Sequence, residues 1–425
     1  MCGIAGKMWF DATAPADRQV IERMTSVLAH RGPDAEGFHL EPGIGLGHRR
    51  LSIIDLPGGE QPMPNETGSI WVVFNGEIYN YQELRRDLLA RGHRFRSTGD
   101  TEVIVHAYEE WGEDAVTRFR GMFAYALWDA PRRRLVLVRD RMGVKPLFFA
   151  RTPGGVTFGS EIKALLQDPA VPRSWSPEAL DAFLTLQYIP SPLAIYTHVE
   201  KLPAGHLAVV ERGHVTVRQY WDLTFGDDGA PRSEASWLEQ LEALVDDAVR
   251  SRLVSDVPLG AFLSGGIDSS LVVSSMAAQA GGRVVTTSVG FEEQAFNELE
   301  AARLVAGHLG TASHEHIVQP DIAALLPRLA WHFDEPFSDS SAVPTFHVSA
   351  AARRHVTVAL SGDGGDELWA GYTRHRIEHR EAGARHWLGA GSKPMGRLAA
   401  LLPLAMKGAR SLRHLALSPA DACAR

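Results

Sequence analysis

Cysteine is almost absent from the chain: 425 residues contain two, Cys2 and Cys423, at opposite ends. They cannot form a disulfide framework, which fits a reducing compartment. No stretch approaches ~18 consecutive apolar residues, and the first residues lack a basic segment followed by an apolar run. Neither membrane spanning nor secretion is indicated, and a cytoplasmic location is expected. Basic charge is not in excess either. A net charge of -8 weighs against a dedicated nucleic-acid binder. The basic residues from Gly371 onward (Arg374, Arg376, Arg380, Arg385, Lys393, Arg397, Lys407, Arg410, Arg413) read as solvated helix faces. There is no fixed-period repeat, no low-complexity tract and no G-x-x-x-x-G-K-[ST] loop. What is present is an ordinary globular composition, 45% hydrophobic and 22% charged, long enough for two or three domains.

The two halves are patterned differently. Up to about Leu202, short alternating apolar runs lie between turn signals: "GIGLGHRRLSIID", "SIWVVFNGEIYN", "FAYALWD", "RLVLVRD", "LFFA" and "GVTFGS". Such spacing predicts antiparallel strands, interrupted by helices over Ala16 to Leu28 and Tyr81 to Leu89, in a layered α+β arrangement. "HLAVVERGHVTVRQYW" predicts a hairpin turning at Arg212-Gly213, and "DLTFGDDGAPRSEASW" a linker. The second half predicts helix (Ser236 to Leu253), strand ("LGAFLS"), helix (from Ser269), strand ("VVTTSVGF"), helix (Glu298 to His308), strand ("HEHIV") and, after a further helix, strand ("VTVAL"). That order implies a parallel sheet covered by helices, with ligands at the carboxyl ends of its strands. The expected units are 1–205, a hairpin and linker over 206–235, and 236–425.

Two glycine-rich turns fall at such strand ends. In "LSGGIDSS", Ser264, Gly265 and Gly266 bring bare backbone N–H groups toward an anion, while Ser269 and Ser270 open a helix whose N-terminus adds positive potential. A tight turn with a serine cap is the plainer explanation, but it leaves Asp268, an acid beside the phosphates, without a partner. A Mg²⁺ ion would supply one. In "LSGDGGDELWAGY", Asp363, Asp366 and Glu367 crowd around Gly362, Gly364 and Gly365, which again calls for a cation or a cationic substrate.

These residues resemble a known family. S-G-G-I-D-S-S is similar to the pyrophosphatase-loop motif of enzymes that cleave ATP between the α and β phosphates, and "LSGDGGDELWAGY" to the second motif of glutamine-dependent asparagine synthetases. "MCGIAG", "HRGPDAEG", "GHRRLSIID", "FNGEIYNY", "GDTEVI", "GMFAYALWD" and "RDRMGVKPLFF" resemble successive blocks of that family's glutaminase domain. The resemblance implies an N-terminal-nucleophile hydrolase fold followed by an ATP-pyrophosphatase-like α/β domain. It also implies removal of Met1, with Cys2 as nucleophile and its own α-amine, of reference pKa ~7.7 to 8, as base.

The remaining roles follow from the same resemblance. Arg50 would pair with the glutamine α-carboxylate, supported by the backbone of Leu51, Ser52, Ile53 and Ile54. Asn75 and the Gly76 N–H would form the oxyanion hole, and Glu77 and Asp100 would hold the α-amine. "NG" ordinarily signals a type I′ hairpin, but the helical pattern that soon follows Asn75-Gly76 fits one poorly. ATP is implied at Leu263, Ser264, Gly265, Gly266, Asp268, Ser269, Val289, Ser361 and Gly362, with Mg²⁺ at Asp268 and Asp366, and Asp363 assisting ammonia deprotonation. "DEPFSDSSAVPTF" resembles a segment near the acyl-adenylate site, with Asp339 and Ser340 as contacts. The products would be asparagine, glutamate, AMP and pyrophosphate, and a homodimer is compatible with this reading.

The family continues as a helical stretch beyond the GDGGDE block, so a synthetase domain short at its C-terminus is expected here. Other readings are an amidotransferase acting on another carboxylate, a β-lactam-forming relative, or a glutaminase or regulatory subunit without synthetase activity. The S-G-G-I-D-S-S loop disfavours a phosphoribosyl-transferring amidotransferase. His314/His316 share a strand face and His375/His379 a helix face, but two histidines without further ligands read as surface residues.

Overall fold

The period-two runs of the first half do form strands, and their two faces build separate cores. In the computed structural model, which describes residues 1–226, 232–292, 297–319, 321–388 and Arg413, the first half runs as follows. Its order is β1 (Gly3–Trp9), α1 (Arg18–Ser26), β2 (Ala35–Glu41), β3 (Ile44–Arg50), β4 (Met63–Pro64), β5 (Ile70–Ile78), α2 (Tyr81–Ala90), α3 (Glu102–Trp111), β6 (Gly121–Asp129), β7 (Arg134–Arg139), β8 (Phe148–Thr152), β9 (Gly155–Gly159), α4 (Ile162–Leu165), α5 (Pro177–Leu186), β10 (Val199–Lys201), β11 (His206–Glu211) and β12 (His214–Gln219). Two antiparallel sheets result, ordered β10-β8-β9-β1-β3-β2 and β12-β11-β7-β6-β5-β4.

Three buried clusters define four layers. Val20, Ile21, Met24 and Leu28 of α1 pack with Ala5 of β1 on the outside of the first sheet. Ile4, Met8, Ile44 and Leu46 meet Val73, Ala124, Ala126 and Trp128 between the sheets. Leu84, Leu88, Val103, Ile104 and Ala107 of α2 and α3 cover Val72, Phe74, Phe123 and Tyr125 on the outside of the second. Alternation along β5 thus sends Val73 inward between the sheets and Phe74 out to the helices.

The helices expected over Ala16 to Leu28 and Tyr81 to Leu89 form with trimmed ends, the first beginning after Asp17, whose side chain accepts from Val20 N–H. The expectation of only two helices is corrected by α3, α4 and α5. In α3 all residues from Glu102 to Tyr108 are buried, the polar Glu102 and His106 included, so its polar positions do not mark a solvated face. The hairpin turns at Arg212-Gly213, both at positive φ, with Glu211 opposite His214. β11 also pairs with β7, making the hairpin the margin of the second sheet.

The second half runs α6 (Glu234–Arg252), β13 (Leu259–Phe262), α7 (Ile267–Gln279), β14 (Val285–Phe291), α8 (Leu299–Leu309), β15 (Ala312–Val318), α9 (Ile322–Phe333), α10 (Ala342–Ala352), β16 (Val358–Leu360), α11 (Gly365–Trp369) and α12 (Thr373–Leu388). Its four strands are parallel, ordered β15-β14-β13-β16. The chain steps outward from β13 to β15 and then returns to β13's other side. This creates a switch point between β13 and β16, where open α/β sheets bind ligands. Cys423, Lys393, Arg397, Lys407 and Arg410, and the helical pattern expected from Gly396 onward, lie outside the described residues. Among the described residues no helix is long and apolar enough to cross a membrane.

Candidate active sites

Cys2 directly precedes β1 and continues the parity of Ile4 and Met8; Asn75 and Glu77 share the parity of Val73 on β5. Sequence alternation alone therefore turns nucleophile and carboxamide toward the gap between the two sheets. The Cys2 thiol accepts from Leu51 N–H at 3.4 Å and faces Leu51 O at 3.7 Å, and burial pushes its pKa up. Asn75 is completely buried, and among the described residues neither its amide nitrogen nor its amide oxygen has a hydrogen-bond partner.

The edge of β5 explains why the backbone here is open. β4 pairs only with Trp71 and Val72, so beyond them side chains replace the missing strand. Gln61 Oε1 accepts from Phe74 N–H at 2.7 Å and Asp100 Oδ2 from Ile78 N–H at 3.0 Å. By the two-residue period the Gly76 N–H lies on this same edge, between those two. His48, buried and neutral because burial lowers its pKa to about 4, bonds Phe74 O at 3.0 Å and ties the first sheet to the strand just before Asn75.

Charge is separated across the pocket. Arg50 Nη1 donates to Leu56 O at 2.9 Å, and its Nη2 to Asp55 O at 2.6 Å and Ile54 O at 3.3 Å, so the 54–56 turn wraps the guanidinium. A Cβ on Gly59 would stand 2.2 Å from Nη2, so a side chain there would displace the guanidinium that the turn holds. Asp100 is buried, and burial pushes its pKa up to about 7, with the neighbouring Glu77 carboxylate adding to the rise. Glu77 is raised too, mainly by burial. Two buried acids with raised pKa values suit a cationic ligand group between them.

Three residues outside the predicted set hold the nucleophile's backbone. Arg31 Nε donates to Cys2 O at 2.9 Å, its Nη1 to Glu161 at 2.9 Å, and Glu161 pairs with Lys163, which reaches Asp334 of the second half at 3.1 Å. Arg31 lies inside the quoted HRGPDAEG block; Glu161 and Lys163 stand in "GSEIKALL", which carries no chemical signature. Ile53 and Asp55 are likewise fastened to the second half, through Asp256 N–H to Ile53 O at 2.9 Å and Asp55 N–H to Asp256 Oδ2 at 2.7 Å.

The second cluster lies at the switch point. Leu263 follows β13, with its N–H on Thr287 O and its carbonyl accepting from Ser288 Oγ at 2.6 Å, next to Val289. Gly265 sits at φ +84°, and Ser264 Oγ accepts from Gly266 N–H at 3.1 Å and meets Ser269 Oγ at 3.0 Å. Gly266 caps α7 with no side-chain acceptor, so the serine cap of the plainer explanation is absent and the helix N-terminus is open to an anion. The second glycine turn packs directly on this one. A Cβ on Gly365 would stand 2.5 Å from Asp268 Cγ, and one on Gly362 2.8 Å from Ser269 N. Asp268 is raised, first by partial burial and then by Asp366 and Glu367. Asp363 instead turns to Ser361, whose Oγ donates to it at 2.9 Å.

Asp268 and Asp366 thus offer a hard-oxygen set short of positive charge, which fits Mg²⁺. Asp339 accepts from Ser341 N–H at 2.8 Å. His314 stacks on His355 at 3.6 Å, and neither His314/His316 nor His375/His379 gathers a third ligand among the described residues.

A glutamine amidotransferase domain family matches residues 1–221 and an asparagine synthase family residues 240–422. The chain is similar to asparagine synthetase [glutamine-hydrolyzing] 1 of Bacillus subtilis, 37% identical over 99% of this chain and 66% of that protein. A putative asparagine synthetase [glutamine-hydrolyzing] of Mycobacterium tuberculosis is 36% identical over 97% of this chain and 65% of its own length, and one of Methanocaldococcus jannaschii 36% over 89% and 77%. The chain therefore spans about two thirds of the length of the first two. Among solved structures, a Bacillus subtilis glutamine phosphoribosylpyrophosphate amidotransferase overlaps 77% of this chain and 70% of its own, at 13% identity and a TM-score of 0.39.

Proposed function

The chain belongs to the glutamine-hydrolysing asparagine synthetase family, and on that premise we propose that it makes asparagine from aspartate, ATP and the amide nitrogen of glutamine. The observation that carries this reading is the buried Asn75 carboxamide with both polar atoms unpartnered. Leaving such a group unpaired costs ~1–3 kcal/mol, which a developing oxyanion would recover.

In this reading Met1 is removed and the Cys2 amine takes the thiol proton. The pKa of the Met1 amine is pushed down to about 5, first by burial. The thiolate attacks the glutamine amide carbon, with the oxyanion received by Asn75 Nδ2 and Gly76 N–H. Collapse expels ammonia, and water hydrolyses the thioester to glutamate. Arg50 holds the α-carboxylate and Asp100 with Glu77 the α-ammonium, so the substrate is fixed at both ends.

The two glycine turns receive ATP. Free N–H groups at the start of α7 and the Ser264–Gly266 turn accept the pyrophosphate, and Leu263, Val289, Ser361 and Gly362 flank the nucleotide. Mg²⁺ bound at Asp268 and Asp366 would neutralise phosphate charge. The aspartate β-carboxylate displaces pyrophosphate from the α-phosphate; ammonia then displaces AMP from the acyl carbon, losing a proton, with Asp363 near enough to the turn to assist. Incubation with amide-¹⁵N glutamine, aspartate and Mg-ATP, followed by mass spectrometry, tests the whole scheme. Labelled asparagine with AMP and pyrophosphate is expected; glutamate and labelled ammonia without pyrophosphate would overturn it.

A further inference from the structure

Outside both sites, one group of side chains on the far face of the second sheet is arranged as a ligand set. Glu66 follows β4, His93 lies between α2 and α3, and His106 and Glu109 stand three residues apart on α3. One ligand atom from each lies within 4.8 Å of all the others. His106 Nδ1 is 3.0 Å from Glu109 Oε2 and 3.5 Å from Glu66 Oε2, and His93 Nδ1 is 3.8 Å from Glu109 Oε2. Ligands on a tetrahedral Zn²⁺ with bonds of ~2.0–2.1 Å stand ~3.3–3.4 Å apart, a value these separations bracket.

The outer atoms of three of the four side chains have hydrogen-bond partners, and that of His106 faces a carboxylate. Glu109 Oε1 accepts from Asn65 Nδ2 at 2.7 Å, and Glu66 Oε1 from Arg94 N–H at 3.0 Å. His93 Nε2 meets Glu110 Oε2 at 3.4 Å, and His106 Nε2 faces Glu102 Oε1 at 3.5 Å. Glu102 is itself fixed by the N–H groups of Arg96 and Ser97. Carboxylates behind both imidazoles, and donors behind both carboxylates, are the supports that orient metal ligands. His106 is fully buried, with Phe95 edge-on at 4.5 Å.

We propose that Glu66, His93, His106 and Glu109 bind one Zn²⁺ ion. Two imidazole nitrogens and two carboxylate oxygens in a four-coordinate array favour zinc over Mg²⁺ or Ca²⁺, which take oxygen ligands in larger number. The ion would fasten the turn after β4 and the 92–101 segment to α3, immediately behind Asp100. Its role would be structural, since all four protein ligands close the coordination sphere.

The competing occupant is a proton, with His106 as an imidazolium among Glu66, Glu102 and Glu109. To separate the two, untagged full-length protein carrying Cys2→Ala, which removes the thiol as a ligand, would be stripped with chelator and titrated with Zn²⁺ by calorimetry. Co²⁺ would serve as the spectroscopic probe. One Zn²⁺ per chain is expected, with a rise in unfolding temperature, a four-coordinate cobalt spectrum, and affinity reduced at least ~100-fold by either His93→Gln or Glu66→Gln. Absence of stoichiometric binding, or binding undiminished in both variants, would overturn the proposal. If neither variant folds, the cobalt spectrum decides: a six-coordinate spectrum, or none, overturns it.

Discussion

The two candidate sites are built in opposite ways. Around Cys2, Arg50, Asn75, Glu77 and Asp100 are all buried, walled by two sheets and two helical layers. Around Asp268, Ile267 is 85% and Leu368 76% exposed, and a single four-stranded sheet carries two turns of glycine, serine and acid. The first site already holds its charges apart and leaves its carboxamide open, so little reorganisation accompanies catalysis. The second brings together like charges and free N–H groups that only a phosphate and a cation satisfy. On the proposed function, the contrast means that glutamine hydrolysis would depend on packing and the ATP reaction on what binds.

The sharpest break of that contrast is Cys2→Ala. Glutamine hydrolysis should vanish in an ammonia-release assay, while pyrophosphate formation with aspartate and added ammonia persists; loss of both would deny two separate centres. Asp268→Asn should do the converse, lowering pyrophosphate formation by ~10²-fold or more and sparing glutamine hydrolysis. Asn75→Ala should cost ~10²- to 10³-fold in glutaminase kcat. Its unfolding temperature should barely move, because neither amide atom has a partner to lose. A large thermal shift with unaltered kcat would assign Asn75 to the fold instead. Lys163→Met cuts the Cys2–Arg31–Glu161–Lys163–Asp334 chain between the halves. More glutamine should then be consumed per asparagine formed, by a few-fold, and an unchanged ratio would remove that chain from coupling.

Legibility in the sequence follows the same division. β7, buried on both faces, stands out as a short apolar run bounded by Arg134 and Arg139, and the Arg212-Gly213 turn stands out because turn chemistry is local. α3 does not, since its polar residues Glu102 and His106 are buried along with its apolar ones and leave no solvated face over most of its length. Cys2, Asn75 and Asp268 were visible as residue types at unusual positions, within blocks that resemble a family. Arg31 lay unremarked in one such block, and Glu161 and Lys163 were invisible, because their significance arises only when α4 meets Asp334. Glu66, His93, His106 and Glu109 come from three separate segments, and no spacing rule for metal sites links them.

The gentlest test concerns protonation of the buried acid. Burial first, and Glu77 next, raise Asp100 to about 7, whereas its bond from Ile78 N–H and the Arg50 charge oppose the rise. Below that pH the carboxyl is neutral and offers a substrate ammonium no charge; above it the carboxylate is available. Glutaminase kcat/KM should therefore climb with pH up to about 7, by roughly tenfold for each unit below it, and then level off. Asp100→Asn should weaken glutamine binding and flatten that limb, raising KM more than it lowers kcat. The ATP half-reaction supplied with ammonia would keep its own pH profile in the same variant, since Asp100 lies in the other half of the chain. If the limb survives in Asp100→Asn, Asp100 is not the titrating group and the α-amine role passes to Glu77 alone.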